Sequence, residues 1–295
     1  KNVSKDIVVL RYSRIFETVN ELIEKHSVKS IIIEDDFVTV NKFNQFEKNL
    51  KAEIVTDFSL SDKILNLRMI KSETEIEKII TAQKIAEKSY LQLLNMVKVG
   101  VSEKELAVEL EYLMKRNGAE KIAFDLITIS GKNTSLPHGV PSDKKLNEGD
   151  FITFDIGAVY DGYHSDMTRT VALSYATDEM REIYDVVLKA HLKAAEMITV
   201  GNTCADVDNA ARDFIASKGY GEYFGHTTGH GVGLEIHEKP TVYKTENTVL
   251  KSGMIITDEP GIYLPDKFGV RIEDMFLVTE NGKKDLAFVA ENDDG

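Results

Sequence analysis

The amino-acid sequence predicts a protein that mixes helices and strands in two domains. Its 295 residues are long for one domain of typical size and comfortable for two. Short β-branched runs alternate with a helical pattern at the start of the chain, which indicates a small α/β layer. From Ser72 onward, long amphipathic helices and strand runs with glycine turns indicate a larger domain. We place the boundary near Met69, which gives domains 1–69 and 70–295.

The first domain is predicted from strand-like runs that frame a helix. Residues 7–10 and 28–33 are rich in β-branched side chains and are bounded by polar residues, as is typical of strands. Between them, apolar residues at helical spacing over residues 15–23 predict a helix. A weaker helix over residues 42–51 and a third strand over residues 53–55 complete the layer.

The helices of the second domain are predicted from their start and stop signals. Ser72-Glu73-Thr74-Glu75 and Ser102-Glu103-Lys104-Glu105 are capping boxes, in which the serine hydroxyl covers an unpaired helix N–H and the second glutamate reciprocates. Apolar residues then keep to one helical face until a glycine ends each helix. The predicted helices occupy residues 72–99, 102–117, 178–200 and 205–218.

The composition excludes several classes of function. Lys and Arg total 36 against 49 Asp and Glu, a formal net charge of −13, which is a poor match for a nucleic-acid backbone. The single Cys204 excludes an internal disulfide and fits a reducing cytosol. No apolar run approaches the roughly 18 residues of a membrane span, and no signal peptide opens the chain. We therefore expect a cytoplasmic protein with neither a nucleic-acid nor a membrane partner.

A predicted hairpin carries the first candidate site. Asp161-Gly162 favours a two-residue turn, which would place Asp155 opposite Thr168. Asp166 then lies on the same face as Asp155, one diagonal step along and about 7–8 Å away between Cα atoms. Two carboxylates at that separation can converge on metal ions. The simpler interpretation, a pair of turn and cap aspartates, stays open at this point.

A second candidate site is the glycine-laced stretch over residues 224–238. It contains His226, His230 and His237, and its glycines make a helix unfavourable. Three imidazoles in so short a stretch suggest metal ligation or stabilisation of an oxyanion. A solvated polar loop is the alternative.

Two acidic residues near the C-terminus form a third candidate. Glu259 ends a strand run, and Pro260 forces the chain to turn after it. Glu273 lies among apolar residues in a further strand, where burial without a partner is costly. Because side chains alternate along a strand, Arg271 and Glu273 share one face and Asp274 lies on the other. The alternative is a surface pair of Arg271 and Glu273.

The order of these motifs resembles that of the pita-bread metallopeptidases of family M24. The motifs are Asp155 with Asp166, Gly229-His230-Gly231, Glu259-Pro260-Gly261 and Arg271-Ile272-Glu273-Asp274. Within the family, the chain is most similar to the Xaa-Pro peptidases, prolidase and aminopeptidase P, from roughly Ile70 onward. The resemblance implies an α+β fold, a curved antiparallel sheet backed by helices. Residues 1–69 would be the latter part of a creatinase-type α/β domain, apparently truncated, since such proteins usually carry further residues before Lys1.

The resemblance also implies a centre of two divalent metal ions. Its ligands would be Asp155, Asp166, His230, Glu259 and Glu273. Four carboxylates in one cleft repel strongly unless cations lie between them. Oxygen-rich ligation with one imidazole suits Mn²⁺, with Co²⁺ or Zn²⁺ as alternatives.

Further residues receive roles from the same resemblance. The segment Ser135-Leu136-Pro137-His138-Gly139 would supply His138 to the active site. His138 and His237 would stabilise the oxyanion and position the substrate, and Glu259 would also transfer a proton. His226 and Arg271 would contact the substrate, with His226 walling the proline pocket.

The implied function is hydrolysis of the Xaa-Pro bond in dipeptides, with short proline-containing peptides as partners and a homodimer as the assembly. An Xaa-Pro aminopeptidase acting on longer peptides is the first alternative. Methionine aminopeptidase shares the ligands, but its common form would leave residues 1–69 unexplained. A non-catalytic peptide-binding module and the metal-free chemistry of creatinase are disfavoured, because the set of ligands is intact.

Overall fold

The chain divides into two units, residues 1–67 and 68–295, in a computed structural model that describes residues 5–287. The outer ends of the predicted domains, at residues 1–4 and 288–295, lie outside the described residues. The elements that begin in the first unit are α1 (Ile15–Lys25), β1 (Ser30–Ile32), α2 (Val40–Asn49), β2 (Glu53–Val55) and α3 (Ser59–Met69).

The first unit is a small parallel α/β layer. Strand β1 pairs with β2 in parallel, with Ile31 opposite Ile54. Parallel neighbours need a crossover connection, which α2 provides. The hydroxyl of Thr39 caps α2 by accepting a hydrogen bond from the backbone N–H of Lys42 at 3.3 Å. The strands and helices predicted for residues 15–55 are confirmed.

Two features of the first unit differ from the prediction. Residues 7–10 form no strand, and each of these residues is 51–81% exposed. A β-branched run becomes a strand only when a neighbouring strand pairs with it. Helix α3 was not predicted, because its apolar residues do not form one clear helical stripe.

The second unit contains the four predicted helices. They are α4 (Glu73–Leu94), α5 (Glu103–Arg116), α6 (Asp178–Met197) and α7 (Cys204–Ser217). Both predicted capping boxes form: Glu75 accepts from the backbone N–H of Ser72 at 2.8 Å, and Glu105 from that of Ser102 at 2.7 Å. Each box satisfies backbone N–H groups that the first helical turn leaves without a partner.

The strands of the second unit pair in antiparallel fashion. They are β3 (Lys121–Ile122), β4 (Ile127–Ser130), β5 (Phe151–Ile156), β6 (Ala158–Tyr160), β7 (Tyr163–His164), β8 (Met167–Ala172), β9 (Gly229–Gly231), β10 (Glu238–Val242), β11 (Ile255–Asp258), β12 (Gly261–Leu264), β13 (Phe268–Arg271), β14 (Asp274–Thr279) and β15 (Gly282–Asp285). The sheets run in the orders β4-β5-β8, β3-β6-β7, β10-β9-β11-β14-β15 and β12-β13.

Two hydrophobic cores place helix pairs against these sheets. Side chains of α4 and α5 pack on Ile152, Phe154 and Ile156, which alternate along one face of β5. Side chains of α6 and α7 pack in the same way on Ile256 of β11 and Phe276 of β14. Because each helix pair covers one face of its sheet, the opposite faces are left for polar side chains.

Candidate active site

A cavity of about 800 Å³ lies in the second unit. Apolar side chains such as Phe124, Leu126 and Ile236 form part of its wall. All nine residues predicted for the site also line it: His138, Asp155, Asp166, His226, His230, His237, Glu259, Arg271 and Glu273. The structure therefore brings together side chains from four separate stretches of the sequence.

The predicted hairpin presents the two aspartates. Asp161 and Gly162 have φ angles of 46° and 81°, the pair of positive values that a type I′ turn requires. This turn fixes the register, and Asp155 lies opposite Thr168 as predicted. Asp155 alternates with the core residues of β5 and thus faces the cavity, where Asp166 joins it just before β8. Turn or cap aspartates are therefore the wrong interpretation.

Two glycines allow β9 to carry His230 into the cavity. A Cβ atom at Gly229 would lie 2.0 Å from the carbonyl oxygen of Thr257, and one at Gly231 would lie 2.2 Å from that of Lys239. Only glycine permits so close an approach of the neighbouring backbones. His230 Nε2 lies 3.6 Å from a carboxylate oxygen of Asp166. The histidine stretch, with β9 at its centre, is therefore a wall of the cavity rather than a solvated loop.

The last two acidic residues lie where strands end. Glu259 follows β11, and its carboxylate is 3.5 Å from His230 Nε2. Glu273 lies between β13 and β14, so the continuous strand predicted through this position is interrupted. Glu273 instead forms a single antiparallel bridge with Thr168. The bridge links β8 to the chain between β13 and β14 at the cavity.

The predicted faces of this segment are confirmed. The hydroxyl of Thr168 donates to the Glu273 carboxylate at 2.7 Å and accepts from Arg271 Nε at 3.2 Å. Arg271 and Glu273 therefore lie on the same face of this segment. Asp274 points away and accepts from Arg169 at 2.7 Å. Arg271 and Glu273 are only 4% and 1% exposed, so a surface pair is the wrong interpretation.

The donor set fits a cation. One oxygen each of Asp166 and Glu273 and one nitrogen of His230 lie within 4.8 Å of one another. Among the described residues, Asp155 Oδ1, Asp166 Oδ1 and Glu273 Oε1 are buried and lack a hydrogen-bond partner. A buried carboxylate oxygen without a partner is unfavourable, and a metal ion would satisfy it.

Burial and mutual repulsion shift the pKa values in this cluster. Burial, reinforced by neighbouring carboxylates, holds the pKa of Asp166 and Glu273 well above the usual range. Burial raises the pKa of Glu259 to about 8, against the opposing effect of the Arg271 charge. Burial and the adjacent His237 lower the pKa of His230 to about 4, so its imidazole is neutral and able to ligate a metal at neutral pH.

Tyr263 is a site residue that sequence reasoning missed. Its hydroxyl lies 2.8 Å from His226 Nε2 and 2.8 Å from Arg271 Nη1. Burial raises the pKa of Tyr263 to about 12 and lowers that of His226 to about 4, so both groups are uncharged at neutral pH. Its position two residues after the glycine of Glu259-Pro260-Gly261 is the one signal that could have pointed to it.

His138 and His237 are the exposed imidazoles of the cavity. The ring of His237 lies edge-on to that of His230, with 4.4 Å between centroids. His138 lies on the segment between β4 and β5. Both rings can therefore reach a ligand without displacing core atoms.

Comparison with known proteins agrees with this geometry. Residues 77–280 match metallopeptidase family M24. An Xaa-Pro dipeptidase of Pyrococcus horikoshii is 49% identical over 240 residues, which cover 81% of this chain and 68% of that protein. The chain belongs to metallopeptidase family M24 and is a metal-dependent peptidase.

Solved structures extend the comparison to the fold. An Xaa-Pro dipeptidase from Bacillus anthracis superposes with a TM-score of 0.92 and 40% identity, covering 96% of this chain and 79% of that one. An X-Pro aminopeptidase from Thermotoga maritima gives a TM-score of 0.89 and 37% identity, covering 96% and 80%. The fold is thus the pita-bread fold, and the predicted α+β class is confirmed.

Proposed function

We propose that this protein is an Xaa-Pro dipeptidase with two divalent metal ions per chain. The observation that carries the proposal is the convergence of four carboxylates and one imidazole in a single cavity. The similarity to proteins named Xaa-Pro dipeptidase supports the substrate class.

The proposed metal ligands are Asp155, Asp166, His230, Glu259 and Glu273. The buried oxygens without partners and the neutral imidazole support this set. We propose Mn²⁺ as the metal, because oxygen-rich ligation with one imidazole suits it, with Co²⁺ or Zn²⁺ as alternatives. Two bound ions would supply an activated water at neutral pH and polarise the scissile carbonyl.

The protein side chains would orient the substrate and move protons. We assign proton transfer from water to the leaving proline nitrogen to Glu259, which the rigid end of β11 holds beside His230. His138 and His237 would donate hydrogen bonds to the developing oxyanion and position the peptide. His226, braced by Tyr263, would wall the proline pocket, and Arg271 would hold Asp155 and Tyr263 in place.

The substrate assignment is tested by assaying a Gly-Pro dipeptide beside a Gly-Pro-Gly tripeptide, with Mn²⁺ or Co²⁺ supplied. Higher kcat/KM for the dipeptide supports a dipeptidase. Preference for the tripeptide would establish the alternative, an Xaa-Pro aminopeptidase, which the similarity to the Thermotoga maritima enzyme favours. Gly-Leu and a Met-initiated peptide serve as controls. If the enzyme hydrolyses neither of the two proline peptides, the proposal is contradicted.

We also propose a cytoplasmic homodimer. The resemblance to Xaa-Pro peptidases, which commonly dimerise, supports the assembly, and the single buried Cys204 fits a reducing compartment. Among residues 5–287, no helix combines the length and apolar character needed to cross a membrane. Sedimentation velocity tests the dimer, and cell fractionation tests the location.

A further inference from the structure

Glu103, the first residue of α5, is a fully buried carboxylate. It accepts hydrogen bonds from the backbone N–H groups of Ser130 at 2.7 Å and of Ser142 at 3.0 Å. The hydroxyls of the same two serines donate to it at 2.9 and 2.7 Å, and Asn133 Nδ2 donates at 3.0 Å. One buried carboxylate thus joins two points of the chain that are twelve positions apart in sequence.

These contacts hold the ends of residues 131–141, which we name the His138 segment. The segment contributes five consecutive residues to the cavity wall, Pro137, His138, Gly139, Val140 and Pro141. Ser130 and Ser142 flank it directly. The carboxylate of Glu103 therefore closes the base of the segment that presents His138.

A second anchor fixes the other side of His138. Arg271 Nη1 donates to the carbonyl oxygen of Pro137 at 3.2 Å. Only residues 138–141 separate this anchor from Ser142. Gly139 is also tightly packed, since a Cβ atom there would lie 2.7 Å from Ile129. The imidazole of His138 is consequently placed by two anchors, and Glu103 is one of them.

The helix itself has no need of this carboxylate. Glu105, not Glu103, completes the capping box with Ser102, and the backbone N–H groups of Glu103 and Lys104 donate to the carbonyl oxygens of Lys144 and Ser142. Burying a carboxylate is costly unless donors surround it. The donors around Glu103 come from the two serines and from Asn133 within the segment. Its contacts thus serve the His138 segment rather than the helix.

We propose that Glu103 is a positioning residue that holds the His138 segment and thereby orients the His138 imidazole for catalysis. This inference rests on the proposed function, because it requires His138 to act on the substrate. It adds a residue outside the cavity to the machinery of the reaction. Among the described residues, the Glu103 carboxylate bonds to no proposed metal ligand and does not line the cavity.

The test is the Glu103→Gln variant of the metal-loaded enzyme. Glutamine keeps the shape but replaces one acceptor oxygen with an NH₂ group that faces the donors of Ser130 or Ser142. A misplacement of about 1 Å can cost about 10²-fold in rate, so we expect kcat for Gly-Pro to fall at least about tenfold. KM and metal content should stay near wild type. Glu105→Gln, two positions along the same helix, is the matched control and should keep kcat.

The decisive measurement repeats Glu103→Gln in a His138→Ala background. If Glu103 acts through His138, the substitution should lower kcat by less than about twofold there. An equal fall in both backgrounds would overturn the inference. Wild-type turnover of Gly-Pro tests the proposed function separately, so the two failures are distinguishable.

A second variant guards against a folding defect in Glu103→Gln. Ser142→Ala removes one hydroxyl contact to Glu103 and changes no charge. A smaller fall in kcat that likewise disappears in the His138→Ala background supports the inference. Unchanged kcat in a folded Ser142→Ala variant, together with an unfolded Glu103→Gln variant, would show a role in stability alone and overturn it.

Discussion

The guanidinium of Arg271 lies 2.6 Å from a carboxylate oxygen of Asp155, and both side chains are largely removed from solvent. Burial opposes the positive charge, yet Tyr263 and the negative charges of Asp155 and Glu259 hold the pKa of Arg271 well above its usual range. Arg271 is therefore a permanent positive charge set among the acidic residues of the cavity. It offsets part of their repulsion whether or not metal ions are bound.

This relationship predicts how Arg271→Gln will behave. Removing one partner of a buried ion pair typically costs about 3–5 kcal/mol, because the other charge is left uncompensated. We expect a loss of that order in the free energy of unfolding of the metal-free variant. Saturating Mn²⁺ should shrink the loss, since bound cations would then neutralise Asp155. Chemical denaturation with and without Mn²⁺ measures both values.

The matched control for this prediction is Arg212→Gln. Arg212 pairs with the buried Asp208 at 2.7 Å, and neither residue lines the cavity. Its loss of stability should be the same with and without Mn²⁺. If both variants respond equally to the metal, Arg271 has no special relation to the metal centre.

The acidic cluster also predicts a pH dependence of the metal-free protein. Burial raises the pKa of Glu259 from 4.5 to about 8, so the folded state binds more protons than the unfolded state between these values. Stability contributed by the protonated group is present below pH 4.5 and is lost as the pH rises to about 8. We therefore expect the free energy of unfolding in chelator to fall across this window. With Mn²⁺ bound, ligand carboxylates are already deprotonated, and the fall should be smaller; an equal fall would contradict the assignment of Glu259.

Local rules predicted one part of the site completely. The dipeptide Asp161-Gly162 fixes the turn, the turn fixes the register, and the register places Asp155 opposite Thr168. Each step depends on neighbours in sequence. The first residues of α4 and α5 were predictable for the same reason, because each capping box is a local signal.

The remainder depends on contacts between distant residues. Nothing local shows that Glu273 will meet Thr168, 105 positions earlier, and only the family resemblance placed Glu273 beside the aspartates of the hairpin. Glu103 and Tyr263 were missed because each fits a simpler role, in a helix start and in an aromatic strand. The break between Arg271 and Asp274 coincides with the bridge from Glu273 to β8, a long-range contact that a strand pattern alone does not record.

A third prediction concerns His138→Ala. Its ring is exposed in the cavity and lies outside the proposed set of ligands, so the variant should keep the wild-type metal content. Removing one donor to a developing oxyanion typically lowers kcat by about 10²–10³, and we expect a fall in this range. Metal analysis and Gly-Pro kinetics on the same preparation measure both. His26→Ala, in the first unit, should change neither, and loss of metal from His138→Ala would place His138 among the ligands.

The last prediction separates ligand from neighbour at Glu273 and Asp274. Glu273 Oε1 is buried without a hydrogen-bond partner, whereas Asp274 is held on the other side by Arg169 at 2.7 Å. Glu273→Gln should therefore lose at least one metal ion per chain, since an amide oxygen replaces a charged donor. Asp274→Asn should keep its metals but lose stability, on the order of 3 kcal/mol, because it breaks a buried ion pair. Metal analysis and denaturation of both purified variants give the comparison.

The two variants remove the same charge from adjacent residues, so each serves as the control for the other. They differ only in the face that the changed side chain occupies, which follows from the contacts of Thr168 with Glu273 and of Arg169 with Asp274. Metal loss confined to Asp274→Asn would mean that the segment is registered one residue differently, with Asp274 directed into the cavity. Equal loss in both would mean that the buried pair of Arg169 and Asp274 holds Glu273 in place. Metal loss in Glu273→Gln alone is the outcome that the geometry requires.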